Sequence, residues 1–178
     1  ANGHRVQVAI DSNLVGLGLD FPAPANKAAS DSIALKFSLS SDGANAGGLM
    51  RDEIRIALGS SVAARYQRTK QGKEPWQVVR GGIGANVPAP QPDGGMMISA
   101  DMKLLDVDAW IGAVNAIAGP ANGGNGSNGS NGANEVQGSI SNGAASDGAT
   151  IAQYIVPDTI AARAGSLIVG ARKLDNVV

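Results

Sequence analysis

Several residue types that carry chemistry are absent or nearly absent from this chain of 178 residues. It has no cysteine and one histidine, His4, which excludes disulfide scaffolds, thiol nucleophiles, zinc clusters and histidine-based triads. Carboxylates are the remaining acid–base groups, and no loop has the composition of a carboxylate metal site. The sequence therefore predicts no catalytic residue, no metal site and no cofactor.

Charge and long apolar runs are also scarce. Charged residues make up 16% of the chain, against about 25% in an average soluble domain. A net charge of -1 without a basic block excludes the electrostatic footprint of a nucleic-acid-binding protein. No run approaches the ~18 apolar residues of a spanning helix, so no transmembrane span is expected. The missing Met and signal-peptide layout indicate a mature or excised piece.

Glycine, by contrast, is abundant, with 25 residues, many of them in one segment. Residues 118–150 read AGPANGGNGSNGSNGANEVQGSISNGAASDGAT. They cannot bury enough surface to offset backbone ordering, so a long disordered loop is predicted. It would separate a β-sheet segment ending in a helix, residues 1–117, from returning strands of the same domain, residues 151–178. Asn125 and Asn128 lie in N-x-S sequons, which such a repeat creates by chance.

Outside this loop, apolar and polar residues alternate with period two in one run after another. Short turns separate several runs, at Gly59-Ser60 and at residues 71–73. This pattern predicts an antiparallel meander with one apolar and one polar face. The apolar members of the runs are Val6, Val8 and Ile10; Leu17, Leu19 and Phe21; Ile33, Leu35, Phe37 and Leu39; Ile54, Ile56 and Leu58; Val62, Ala64 and Tyr66; Trp76, Val78 and Ile83; and Met96, Ile98, Ala100, Met102 and Leu104.

Two short helices and a terminal hairpin complete the predicted elements. The main helix follows an Asp106 N-cap and carries a stripe of Val107, Trp110, Ile111, Val114 and Ile117, in which Trp110 is a helix anchor. Residues 24–30 predict a helix of one or two turns. Residues 151–156 and 160–164 look extended, and residues 166–169 and 173–178 form a hairpin that turns at residues 170–172.

The glycine-rich segment 80–86 has some likeness to a phosphate-binding loop. It lacks the following Lys-Ser/Thr and opens no helical pattern, so a strand with bulges or close backbone approach is the favoured interpretation. The Pro-Ala-Pro-Gln-Pro segment at residues 88–92 is interpreted as a stiff edge connection.

Two short helices are too few to cover the apolar face of eight to ten strands. A sheet must bury such a face against something. It can close on itself as a sandwich or barrel, pack on a partner, or hold a ligand. An aliphatic face suits both self-packing and acyl chains, so composition leaves these alternatives open.

Four segments, in this order along the chain, resemble motifs of the YhdP family, a branch of the AsmA-like periplasmic proteins of Gram-negative bacteria. Residues 6–29 resemble its strand followed by "S-x-L-x-G-L" and "P-A-P-L-x-K-x-A", with Ala25 where the pattern prefers Leu. Residues 80–90 resemble "R-G-x-I-G … P-A-P". Residues 105–110 resemble "L-D-L-D-A-W", and residues 163–177 resemble "R-A-x-x-L-x-V-G-G-R-x-L-D-N-V".

The resemblance implies a much longer parent protein, anchored in the inner membrane by an N-terminal helix. Its periplasmic part would form a long twisted β-groove, shaped like a taco, whose hydrophobic inside conducts phospholipids toward the outer membrane. This chain would be an internal or C-terminal-half segment. Its partners would be phospholipid acyl chains and the remaining segments of the parent chain.

From the residues and the resemblance together, the expected fold is mainly β: an antiparallel curved or twisted sheet with one or two short helices. The expected function is non-enzymatic, as a segment of a periplasmic lipid-transport bridge between the two membranes. The runner-up is a closed β-sandwich, a structural or protein-interaction module of the envelope. A third hypothesis is a hydrolase of envelope polysaccharide with a carboxylate pair. The residues expected to line the groove are Val6, Val8, Ile10, Leu35, Phe37, Leu39, Ile54, Ile56 and Leu58.

Overall fold

The computed structural model describes residues 5–44, 47–118, 152–170 and 172–175. These residues form one sheet of eight strands and two helices. The predicted loop at residues 118–150 lies outside the described residues except for residue 118, which ends a helix. The elements are β1 (Val6–Ser12), β2 (Leu35–Asp42), β3 (Leu49–Leu58), β4 (Val62–Gln71), β5 (Gln77–Ala85), β6 (Gly95–Asp106), α1 (Val107–Ala118), α2 (Ala152–Ile155), β7 (Thr159–Val169) and β8 (Arg172–Asp175).

The strands lie in the sheet in chain order, from β1 at one edge to β8 at the other. Neighbouring strands from β1 to β5 are antiparallel, and so are β7 and β8. The prediction of a mainly-β, open sheet is confirmed. The antiparallel prediction is wrong at two interfaces, because β5–β6 and β6–β7 pair in parallel. Each parallel pair needs a connection that returns the chain to the other end of the sheet.

The first return connection is a proline-rich strap, residues 86–94, that crosses one face of β5. A Cβ atom on Gly82 would lie 2.0 Å from the Pro90 carbonyl oxygen, and one on Gly84 would lie 2.2 Å from the Val87 carbonyl oxygen. The predicted close backbone approach at this glycine segment is therefore confirmed. The strap crosses the face of the sheet rather than its edge, which corrects the interpretation of residues 88–92.

The second return connection contains α1 and α2. Helix α1 begins where predicted, and the Asp106 carboxylate caps it by accepting a hydrogen bond from the Ala109 backbone N–H at 2.9 Å. Trp110 is half-buried, but Ile111 of the predicted stripe is 55% exposed. Residues 152–155 are helical rather than extended, because this segment lies over the sheet and contacts β5 and β6 instead of joining a ladder.

Residues 13–34, between β1 and β2, differ most from the prediction. The expected strand at residues 17–21 and helix at residues 24–30 are both wrong. Leu19 and Lys27 instead exchange two backbone hydrogen bonds as an isolated bridge. The buried Lys27 ammonium donates to the Leu17 and Ala28 carbonyl oxygens at 2.6 and 2.8 Å. These local contacts satisfy the backbone without a regular element.

Candidate functional site

The nine residues expected to line a groove lie on one face of the sheet. Paired residues of neighbouring strands direct their side chains to the same face, and so do alternate residues along one strand. The register joins eight of the nine in rows across β1–β3: Val8–Leu39–Ile54, Ile10–Phe37–Ile56 and Leu35–Leu58; Val6 lies two residues before Val8.

The same face continues across the next four strands. One row runs without a polar residue from β1 to β7, over six strand spacings or about 29 Å. The sequence predicted the alternation within each strand but not this row, because it depends on the register of seven strands. The row is Ile10–Phe37–Ile56–Ala64–Ile83–Ile98–Ile160. We use the name apolar face for this row together with the nine residues above and Val62, Tyr66 and Met96.

Much of the apolar face is open to solvent. Val6 is 52% exposed, Ile10 is 50% exposed and Ile160, at the far end of the row, is 65% exposed. The most enclosed part is the cluster of Ile54, Tyr66 and Met96. Within the described residues, no large side chain is completely buried. The β1–β3 part of this face therefore presents apolar surface that the described residues do not cover with a second layer.

Helix α2 covers the neighbouring part of the apolar face through Tyr154. The Tyr66 and Tyr154 rings meet edge to face, with centroids 5.3 Å apart and an interplanar angle of 77°. The Tyr66 hydroxyl donates a hydrogen bond to the Tyr154 carbonyl oxygen at 3.0 Å. Burial, and to a lesser degree the nearby Tyr154 hydroxyl, raises the pKa of Tyr66 to about 12. Tyr66 is thus a neutral hydrogen-bond donor at physiological pH.

The apolar face ends in charged residues at one end of the strands. Along β4 the same-face residues after Tyr66 are Arg68 and Lys70, and Arg68 pairs with Asp52 of β3. The Arg68 Nη2 and Nε donate to Asp52 Oδ2 at 2.8 and 3.1 Å. We call Asp52, Arg68 and Lys70 the charged row.

Two aromatic side chains flank the Arg68 guanidinium. Its Nη1 donates to the Tyr154 hydroxyl at 3.1 Å, and its central carbon lies 4.6 Å from the centroid of the Trp76 ring. Burial alone disfavours the cation, but hydrogen bonds to Tyr154 and Asp52 outweigh it and raise the pKa of Arg68. Asp52 is buried, and its Oδ1 accepts no hydrogen bond from the described residues. Sequence reasoning did not single out this cluster, because its members come from distant positions.

The opposite face of the sheet is polar. The Glu53 Oε1 atom lies 2.5 Å from Arg55 Nε and 2.8 Å from Arg65 Nε. Burial alone would raise the pKa of Glu53, but the adjacent Arg65 and Arg55 guanidiniums lower it below its ordinary value. The strap lies on this face, so its backbone fills the space above Gly82 and Gly84 where a phosphate cradle would be open.

The described residues show no arrangement that resembles a catalytic or metal centre. No group of three or more His, Asp or Glu side chains comes together among them. Asp52 and Glu53 are consecutive residues of β3, so their side chains point to opposite faces of the sheet, and each is engaged by arginine. No helix within the described ranges is long and apolar enough to span a bilayer.

Comparison with known proteins gives a match at the level of the family. A family model described as "YhdP protein" matches residues 1–178, the whole chain. No curated protein and no solved structure matches the chain. The comparison therefore bears on the chain as a whole and assigns no role to an individual residue.

Proposed function

The chain belongs to the YhdP family of AsmA-like bacterial envelope proteins, which are associated with lipid transport, and we propose that it is a segment of a phospholipid-transport bridge in the periplasm. The observation that carries the proposal is the apolar row across seven strands, whose two end residues, Ile10 and Ile160, are exposed to solvent. In this proposal, acyl chains cover the apolar face in place of a second protein layer, and the nine predicted residues line the lipid path.

The proposed mechanism is passive shielding of acyl chains from water. Each buried CH₂ contributes about 0.8 kcal/mol, so a row of Ile, Phe and Ala side chains retains a lipid tail without polar chemistry. The contacts along the row are similar from strand to strand. A tail displaced by one strand exchanges one apolar neighbour for another, and this favours sliding over fixed binding.

The closed β-sandwich receives less support. It requires a second sheet over the apolar face, and the part of the chain that the structure describes forms one sheet with β1 and β8 at opposite edges. Exposure of Val6, Ile10 and Ile160 is the opposite of what a closed core would show. The polysaccharide hydrolase also receives less support: it needs two carboxylates that converge in a cleft, and Asp52 and Glu53, which are consecutive on β3, face opposite sides of the sheet.

The proposal is tested by placing a carboxylate on the apolar face. Ile56→Asp lies mid-row, and Ile10→Asp replaces an exposed residue of the same row that is less involved in folding. Purified chain is incubated with vesicles of phosphatidylethanolamine and phosphatidylglycerol, recovered without detergent, and weighed by native mass spectrometry. We expect bound phospholipid in the unmodified chain and at least a tenfold reduction in both variants, since a buried unpaired charge costs more than ~1.4 kcal/mol.

The matched control for Ile10→Asp is Ala9→Asp, one residue away on the polar face, which should retain lipid. Circular dichroism checks that each variant keeps its β-sheet signal. Equal lipid loss in Ala9→Asp and Ile10→Asp, or a folded lipid-free chain before any substitution, would contradict the proposal. If Ile10→Asp and Ile56→Asp both unfold, the apolar face is ordinary core.

A further inference from the structure

The charged row lies at one end of the apolar face, directly after Tyr66 on β4 and next to Ile54 on β3. We propose that Arg68 and Lys70 bind the head-group phosphate of a phospholipid whose acyl chains lie on the apolar face. This inference rests on the proposed function and adds a polar site to the lipid path.

The first argument is the change of polarity along β4. Same-face residues of a strand are about 6.8 Å apart. Val62, Ala64 and Tyr66 therefore form an apolar stretch of about 14 Å, and the charged row begins one same-face step later. The neighbouring strand repeats the boundary, from Ile54 to Asp52. An amphiphile aligned with the strands meets apolar contacts along its tail and cations at its head.

The second argument is the aromatic side chains at this boundary. Tyr154 packs its ring on Tyr66 and directs its hydroxyl to Arg68, while the Trp76 ring lies against the same guanidinium. Tyr and Trp favour positions where one end of the ring is apolar and the other is polar, as at the head-group level of a membrane. The boundary on this sheet has the same chemistry.

The third argument is the donor capacity of the two cations. A guanidinium has five N–H groups, of which three are used, two toward Asp52 and one toward Tyr154. The remaining two N–H groups, together with those of the Lys70 ammonium, can donate hydrogen bonds to phosphate oxygens. Asp52 neutralises one of the two positive charges and fixes the direction of the guanidinium, so it is a positioning residue.

The experiment compares two lipids that share acyl chains and differ in the head group. The chain of 178 residues is loaded from vesicles containing either phosphatidylglycerol or diacylglycerol, and the retained lipid is measured by native mass spectrometry. The variants are Lys70→Gln and the double variant Asp52→Asn/Arg68→Gln, which avoids leaving a buried carboxylate unpaired. We expect retained phosphatidylglycerol to fall about tenfold in each, as for loss of one charge-assisted hydrogen bond, with diacylglycerol unchanged.

Lys36→Gln and Arg55→Gln are the matched controls, because they remove the same charges from the polar face; both should retain both lipids. Equal loss of the two lipids in the variants, or no loss of either, would overturn the head-group site while leaving the apolar face able to hold lipid. Retention of neither lipid by the unmodified chain would overturn the proposed function as well. Binding of inorganic phosphate that Lys70→Gln abolishes, with phosphatidylglycerol retention unaffected, would assign the row to a free anion instead.

Discussion

Tyr66 shows how a single side chain connects the apolar face to its polar end. Its ring belongs to the most enclosed cluster of the sheet, beside Ile54 and Met96. Its hydroxyl is nevertheless satisfied, because it donates to the Tyr154 carbonyl oxygen. A buried hydroxyl without a partner would be costly, so this hydrogen bond makes the aromatic residue acceptable in the cluster.

The raised pKa of Tyr66 makes the stability of the chain depend on alkaline pH. The folded-state pKa is about 12, above the ordinary value of 10.0, so the fold favours the protonated phenol. This contribution, on the order of 3 kcal/mol, is complete below pH 10 and is lost as the pH rises toward about 12. We expect Tyr66 phenolate absorbance to appear only near pH 12 or together with unfolding followed by circular dichroism.

Tyr66→Phe is the control for that titration, because Tyr154 then remains as the other of the two tyrosines. The difference between the two titration curves isolates Tyr66. Ionisation of Tyr66 near pH 10 in a chain that keeps its β-sheet signal would contradict the buried position of its hydroxyl.

At the scale of elements, the strap explains why β5 contains so many glycines. Consecutive residues of a strand face opposite sides. A Cβ on Gly81 would meet the Met96 sulfur and the Tyr66 ring, whereas one on Gly82 would meet the strap backbone. The glycines thus allow close packing on both faces of one strand. The glycine-rich composition of β5 predicts close backbone approach. Only the path of the strap shows that Gly82 faces the strap, whereas Gly81 faces Met96 and Tyr66.

Gly82→Ala should destabilise the sheet, because the added methyl group overlaps the Pro90 carbonyl, a backbone atom that cannot rotate away. We expect the free energy of unfolding to fall by about 1–3 kcal/mol, as for overpacking in a core. Urea denaturation followed by circular dichroism measures it. Gly94→Ala is the matched control, since nothing lies within 4 Å of the corresponding position. Equal stability of the two variants would show that the strap does not contact β5.

At the scale of the whole molecule, the sheet has more apolar surface than its helices cover. Large exposed apolar patches on folded proteins mark interaction surfaces. The row from Ile10 to Ile160 is exposed in this way at its two ends, where Ile10 is 50% and Ile160 65% exposed, and the charged row lies at one end of strands that carry it. This combination, more than any single residue, distinguishes the molecule from a sheet whose face is closed.

The open face should bind an apolar fluorescent dye in the folded state. We expect dye fluorescence to be high in native buffer and to fall through the same urea transition that removes the β-sheet signal, because unfolding disperses the face. A closed sandwich predicts low fluorescence in native buffer. Low fluorescence in native buffer, measured on folded chain that is shown to be free of lipid, would contradict an exposed apolar face.

The sequence alone determined which residues share a face within each strand and where α1 begins. Those features follow from periods of two and ~3.6 residues, and from the Asp106 cap, all of which are local. It also indicated the family, which the match over residues 1–178 shows.

Tertiary structure decided the register of the apolar row, the parallel pairing of β5, β6 and β7, and the meeting of Asp52, Arg68 and Tyr154. Tyr66 and Tyr154 are 88 positions apart, and Arg68 and Asp52 are 16 apart. Contacts over such separations depend on where connections return the chain, and no local pattern of side chains encodes that path. For the same reason, the sequence predicts an extended segment at residues 151–156, whereas residues 152–155 form a helix that packs on Tyr66 through Tyr154.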